Sequence, residues 1–205
     1  MRVSAVVPAY NEAPRIGRVL DTLTSFRDFL EVIVVDDGST DGTGGIAARR
    51  GARVVRSEKN CGKGEAMQRG GNTARGNVLF FCDADIVGLT HDIIRETIAP
   101  VIRCEYEMFV AARKEKERRF GAYSYSPLLD GQRAVTRELW ERVPANLKTG
   151  FAIESALNHC ARSRGYRLFD ITQVKKEAKH GIFAGTLARY AMYGRIAITR
   201  AQLLV

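Results

Sequence analysis

The sequence predicts an α/β chain, an open and mostly parallel sheet flanked by helices, with an amphipathic helix at its C-terminal end. Three observations carry this. Over the first hundred residues short β-branched runs alternate with amphipathic segments, the pattern of strands joined by crossover helices. Each run ends in a cluster of Asp, Asn, Gly or Pro, as expected at the carboxyl ends of parallel strands. A length of 205 residues, 45% hydrophobic and 27% charged, suffices for one sizeable core and excludes disordered and collagen-like classes.

Residues 2–7 read as a buried strand. Ile16, Val19, Leu20, Leu23 and Phe26 then fall on one helical stripe. That helix starts near Asn11 to Pro14, where Asn can cap and Pro is tolerated in the first turn. Strands are expected at 31–35, at 52–56 after Gly51, and at 77–82. Helices are expected after Ser39 to Asp41 and over 63–75. The result is βαβαβαβ with right-handed crossovers. Beyond it, Ile93, Ile94, Ile98, Val101 and Ile102 mark a helix interrupted or started by Pro100. Residues 106–112 read as a strand, 113–131 as a long polar loop, Ile153 to Ala161 as a helix, 166–171 as a strand and 186–205 as a basic amphipathic helix. With no internal repeat and no linker, residues 1–205 read as one domain, a first half over 1–90 and a second over 91–205.

No apolar run approaches the roughly 18 residues of a bilayer span. Val3 to Val7 is too short for a signal-peptide core and runs straight into Pro8, so the expected location is cytoplasmic. Cysteines at 61, 82, 104 and 160 have no zinc-ligand or disulfide spacing and read as reduced, mostly core thiols. The net charge of +9 is unevenly placed: residues 1–100 carry 13 basic and 13 acidic side chains, and residues 101–205 carry 19 and 10. Such a basic half attracts phosphates, nucleic acid or an anionic membrane face, or serves solubility.

Asp83-Ala84-Asp85 is the sharpest motif. Residues i and i+2 of an extended segment point the same way, so two carboxylates converge at a strand exit. Like charges that close favour a hard, oxygen-liganded cation between them, Mg²⁺ or Mn²⁺. Asp36-Asp37-Gly38-Ser39 ends the neighbouring strand, where carboxylates can accept from ribose hydroxyls or a base N–H; it also suits a plain strand-to-helix turn. Asn60-Cys61-Gly62-Lys63-Gly64 sets two glycines around a lysine, so backbone N–H groups can approach a diphosphate beside an ammonium. The Walker and G-x-G-x-x-G patterns are absent, which disfavours ATPase and dinucleotide readings.

Together these segments, with Val6-Val7-Pro8-Ala9-Tyr10-Asn11-Glu12 ahead of them, resemble the family 2 glycosyltransferases of GT-A fold, a Rossmann-like architecture. The resemblance runs over about residues 1–90 and implies a nucleotide-diphosphate sugar donor, UDP- or GDP-linked. It implies that Pro8, Ala9, Tyr10 and Glu12 border the nucleoside, that Asp37 accepts from the base, and that Lys63 sits near the diphosphate. It places Asp83, Ala84 and Asp85 at ribose and metal. Residues 126–134, followed by Gly150 to Glu154, resemble the acceptor-side segments of polyprenyl-phosphate glycosyltransferases and glucosyl-phosphoglycerate synthases. His180 lies where related enzymes can offer a third metal ligand.

Breaking the bond from sugar to diphosphate builds negative charge on the leaving group, which a metal at Asp85 and the Lys63 ammonium would stabilise. A hydroxyl acceptor needs a general base, for which Glu154 is the candidate. A phosphate monoester, with a second pKa of about 6, is already a nucleophilic anion near neutral pH and asks for cations instead. Arg113, Arg133 and Lys179 are the candidates to hold it, beside the cluster of Lys114, Lys116, Arg118 and Arg119. The helix at 186–205 suits a membrane interface, the core or a homodimer. The expected function is transfer of a hexose to a phosphate-bearing acceptor, polyprenyl phosphate at the membrane surface first. The alternatives are a soluble hydroxyl acceptor such as phosphoglycerate or a glycan, or a basic nucleic-acid-binding protein on the same fold.

Overall fold

A computed structural model of the chain describes residues 1–114, 130–150 and 152–173. Nine strands are described: β1 Val3–Ala9, β2 Phe29–Asp36, β3 Arg53–Arg56, β4 Val78–Phe81, β5 Ile86–Val87, β6 Met108–Arg113, β7 Arg133–Thr136, β8 Arg164–Phe169 and β9 Thr172–Gln173. Six α-helices accompany them: α1 Ala13–Ser25, α2 Thr43–Arg49, α3 Lys63–Thr73, α4 His91–Ile102, α5 Arg137–Arg142 and α6 Ala152–Cys160. Seven strands form one sheet in the order β3-β2-β1-β4-β7-β6-β8, and β5 pairs with β9 in a separate ribbon. Every pairing in the large sheet is parallel except those of β7, which runs against both β4 and β6.

The alternation along β1 explains why the central strands are apolar throughout. Val3, Ala5, Val7 and Ala9 face one layer and Val6 the other, so both faces are buried. The first layer packs against α1, α2 and α4, and the second against α3, α5 and α6. The α1 stripe enters the first as expected, with Ile16, Val19, Leu20 and Leu23 buried and Phe26 packed just past the helix end. Removing each of these from water contributes about 1.5–3 kcal/mol. Helix α3 approaches the sheet closely because Gly70 leaves room for Val6 and Val35, and Gly71 for Trp140: a Cβ at either would fall within 2.9 Å of them.

Several expectations change in detail. Asn11 does not cap α1. It adopts a positive φ of 53°, its Oδ1 accepts from the Thr40 amide, and the exposed Ala13 amide donates to Asp41 of the next loop. Pro100 neither starts nor breaks α4; it sits in the last turn, where little ladder remains to disrupt. Only Cys82 among the four free thiols is buried, and Cys104 is exposed. Strand β7 and helix α5 lie between the expected loop at 113–131 and the helix expected from Ile153, a stretch to which the sequence assigned no element. The expected C-terminal helix, with Lys116, Arg118, Arg119, Lys179 and His180, falls outside the described residues.

Candidate functional site

The carboxyl ends of β1, β2, β4 and β6 lie along one rim, and β7, running the other way, starts there. This brings Asp37, Asp83, Asp85, Arg113 and Gln132 to one edge of the sheet. Lys63 opens α3 directly behind Gly62, whose φ of 104° is open to glycine. The helix start presses against the turn before α6, since a Cβ on Gly64 would lie 2.5 Å from the Gly150 amide nitrogen. That contact delivers Glu154, in the first turn of α6, to the same place.

At the centre the Lys63 ammonium stands 2.8 Å from Asp83 Oδ1 and 2.8 Å from Glu154 Oε1. Burial acts to lower the lysine pKa, but the two carboxylates outweigh it and hold it above its ordinary value. Asp83 shows the converse: burial acts to raise it, and Lys63, helped by a Gln132 amide donor at 3.1 Å, holds it below the usual carboxylate range. Gly131 makes room for this group, for a Cβ there would come within 2.4 Å of both Asp83 oxygens.

Asp85 is buried, and among the described residues it has no cation beside it. Burial first, then the Asp83 carboxylate and Glu12, push its pKa up, while the Gln173 amide opposes by donating to both carboxylate oxygens at 3.0 Å. Two hard oxygen donors at one strand exit, one carrying uncompensated charge, fit a divalent cation of the Mg²⁺ or Mn²⁺ kind. Among the described residues no group of three His, Cys, Asp or Glu side chains gathers as a complete ligand set, and the expected third ligand, His180, lies outside them. The Cys82 thiol beneath the pair is pushed well up by burial and by both carboxylates, so it stays protonated and inert.

Asp37 builds the other end. Its Oδ2 accepts from the Cys61 and Gly62 amides at 3.0 and 2.7 Å, joining the second strand exit to the glycine-rich turn, and its buried Oδ1 has no partner among the described residues. Gly38 permits this closure: its φ is 76°, and a Cβ there would lie 2.6 Å from the Lys59 carbonyl carbon. Pro8 and Ala9 end β1 alongside, Tyr10 is exposed over the rim, and Ala84 is buried between the two acidic residues. Glu12 is buried and ion-paired to Arg15.

The acceptor candidates separate. Arg113 reaches the rim, half-committed: its Nε donates to Asp130 at 2.7 Å and an NH group to Gln173 Oε1 at 2.9 Å. Arg133 is a correction. Its β7 position turns it inward, where it is wholly buried beside Met108 and donates from Nε to the Asp130 carbonyl at 3.1 Å, so it braces the rim from beneath. Lys114 pairs with Asp170 at 2.6 Å. Gln132, Gln173 and Asp130 were missed from the sequence, because neutral amides and a lone Asp in a polar stretch carry no spacing signal. The Asp-Gly-Gln turn ahead of an apolar run was the one clue to β7.

A family model described as glycosyl transferase family 2 matches residues 4–169. The chain belongs to glycosyl transferase family 2. Glucosyl-3-phosphoglycerate synthase of Mycolicibacterium paratuberculosis is 40% identical over 94 residues, covering 42% of this chain and 29% of the relative. Dodecaprenyl-phosphate galacturonate synthase of Rhizobium johnstonii is 34% identical over 128 residues, 57% of this chain and 37% of the relative. Dolichyl-phosphate beta-glucosyltransferase of Drosophila melanogaster is 40% identical over 101 residues, 42% of this chain and 31% of the relative. The chain therefore spans well under half the length of these curated family 2 relatives. The crystal structure of glucosyl-3-phosphoglycerate synthase from Mycobacterium tuberculosis with Mn²⁺, UDP and glucosyl-3-phosphoglycerate superposes with a TM-score of 0.78 at 23% identity, over 98% of this chain and 79% of that one. This establishes the GT-A fold that the first ninety residues of the sequence implied.

Proposed function

We propose that this family 2 chain transfers a hexose from a nucleotide-diphosphate sugar to a phosphate-bearing acceptor, with Mg²⁺ or Mn²⁺ at Asp83 and Asp85. The observation that carries the reading is the Lys63 ammonium fixed at 2.8 Å between Asp83 and Glu154, on the rim that Asp37 and Asp85 share. Asp37 Oδ1, buried and without a partner among the described residues, suits a base N–H; Pro8, Ala9, Tyr10 and Glu12 border the space for the nucleoside. The N–H groups of the first α3 turn and the Lys63 ammonium face the diphosphate, supplying fixed positive charge where the leaving group gains negative charge. Asp83 and Asp85 would hold a divalent cation, which would supply Lewis-acid stabilisation of the leaving diphosphate.

Glu154 bears on the acceptor. Its Oε1 is occupied by Lys63, so its first task is to position that ammonium rather than to take a proton. A phosphate monoester needs no base, which favours the phosphate nucleophile, and Arg113 at the rim offers it a cation. The dodecaprenyl-phosphate and dolichyl-phosphate relatives agree with this chemistry, polyprenyl phosphate being the first to test. A hydroxyl acceptor such as phosphoglycerate is the second reading, favoured by Glu154 standing within the site, where its release from Lys63 on donor binding would free a base. Among the described residues no helix is long and apolar enough to cross a membrane.

The test is a thermal-shift titration with UDP and GDP, each with and without Mn²⁺, followed by donor hydrolysis and transfer to a short-chain polyprenyl phosphate or to 3-phosphoglycerate. Stabilisation by a nucleoside diphosphate that requires Mn²⁺ supports the reading. No stabilisation by either nucleotide overturns it.

A further inference from the structure

We infer that Gln173 is a positioning residue for Asp85, holding that carboxylate in the orientation that receives the divalent cation. The inference rests on the cation assignment proposed above and concerns a residue outside the acidic motif.

The backbone places Gln173 first. Strand β9 pairs antiparallel with β5, Ile86 opposite Gln173 and Val87 opposite Thr172, so the residue following Asp85 is in register with Gln173. The side chain then makes three contacts: Nε2 donates to Asp85 Oδ1 and Oδ2, both at 3.0 Å, and Oε1 accepts from an Arg113 NH group at 2.9 Å. The amide cannot be turned round. A guanidinium has only donors and an ionised carboxylate only acceptors, so exchanging the amide oxygen and nitrogen would break every one of these contacts. Arg113 is itself held, its Nε 2.7 Å from Asp130 Oδ1 and its backbone amide 2.9 Å from Asp130 Oδ2. Asp130 is buried at the approach to β7. A chain of directed bonds thus runs from Asp130 through Arg113 and Gln173 to Asp85.

The contact pattern has a specific consequence for a cation. Each carboxylate oxygen offers two lone pairs, and the amide, equidistant from both oxygens, engages one on each. The second lone pair of each oxygen remains for an incoming ion, while the paired contact restrains rotation of the carboxylate. Partners of this kind behind a metal-ligating group typically support affinity by 10–100-fold, because a ligand free to rotate must be ordered when the ion arrives.

The experiment is Mn²⁺ binding to the purified chain, read by electron paramagnetic resonance of the free ion in the presence of saturating UDP. Wild type, Gln173→Met, Asp85→Asn and the double variant are compared, with each apo protein's thermal midpoint recorded. The expected result is that Gln173→Met weakens Mn²⁺ about tenfold in a chain that still unfolds cooperatively, and that it adds no further loss of Mn²⁺ affinity in the Asp85→Asn background. Unchanged affinity in Gln173→Met, or an equal loss with and without Asp85, overturns the inference. Absence of Mn²⁺ binding by the wild type, or full binding by Asp85→Asn, overturns instead the cation assignment on which it stands. Gln173→Glu supplies a second variant of the same size: losing the donor, it should bind Mn²⁺ through an altered Asp85 and depart from wild type, whereas behaviour identical to wild type counts against the orienting bond.

Discussion

Replacing Lys63 with Met shortens the side chain by one atom and removes the ammonium, leaving Asp83 and Glu154 without their shared cation and Asp83 with its Gln132 donor. Breaking a buried ion pair from one side costs roughly 3–5 kcal/mol. Here the Lys63 and Asp83 side chains are 20% and 16% exposed, so water screens part of the loss and about 2 kcal/mol is expected at pH 7. The pH dependence is the sharper part. In the wild type Asp83 is held below its ordinary value, so its contribution is complete above about pH 4 and is lost only as pH falls through the depressed value. Without Lys63 burial governs, and the folded-state pKa rises above the unfolded one. The Asp83 contribution is then present at low pH and lost as pH climbs through the raised value. The gap between the two proteins should therefore widen from pH 4.5 to pH 7. Urea unfolding with a chelator present measures it: about 2 kcal/mol corresponds to a midpoint shift of about 1 M at a slope near 2 kcal/mol/M. Equal destabilisation at the two pH values, or none at pH 7, would refute the reasoning. In the same variant donor turnover should fall by about 10²–10³, the usual loss when a charge-stabilising donor is removed.

Further outcomes follow from the same geometry. Gly131→Ala sets a Cβ within 2.4 Å of both Asp83 oxygens and should displace that carboxylate; Mn²⁺-dependent donor hydrolysis should drop at least about tenfold with circular dichroism unchanged. Gly38→Ala combines a φ of 76° with a 2.6 Å approach to the Lys59 backbone and should cost about 1–3 kcal/mol in denaturant unfolding while weakening UDP in a thermal-shift titration. Because burial and Asp83 raise the Asp85 pKa, protons compete with cations there, so Mn²⁺ affinity measured calorimetrically should fall between pH 7.5 and pH 5.5 more steeply than ordinary aspartates allow.

The acidic and glycine-flanked residues of the rim were legible because their placement is local. Asp83 and Asp85 lie two apart on a strand exit, Lys63 stands between glycines, and Asp37 ends a run of valines; sequence spacing alone sets each beside the rim. The remainder depends on pairing across long separations. Nothing around Gln173 in the sequence says that it lies opposite Ile86, and nothing around Arg133 says that β7 enters between β4 and β6, turning a planar donor that looked suited to phosphate into the interior. Likewise Asn11 reads as a cap by composition. The long-range approach of Asp41 to Ala13 takes that task, and only the folded loops reveal it.

The reversed direction of β7 has an architectural consequence. A chain leaving β6 at Arg113 would ordinarily have to cross to the far side of the sheet before laying down another parallel strand. Here it re-enters at Asp130, on the edge it left, and the ion pair between those two residues fastens both ends of the intervening excursion. Two neighbouring strands whose ends meet at one edge need no crossover beneath the sheet between them, and the Arg113–Asp130 pair sets how far apart those two ends stand.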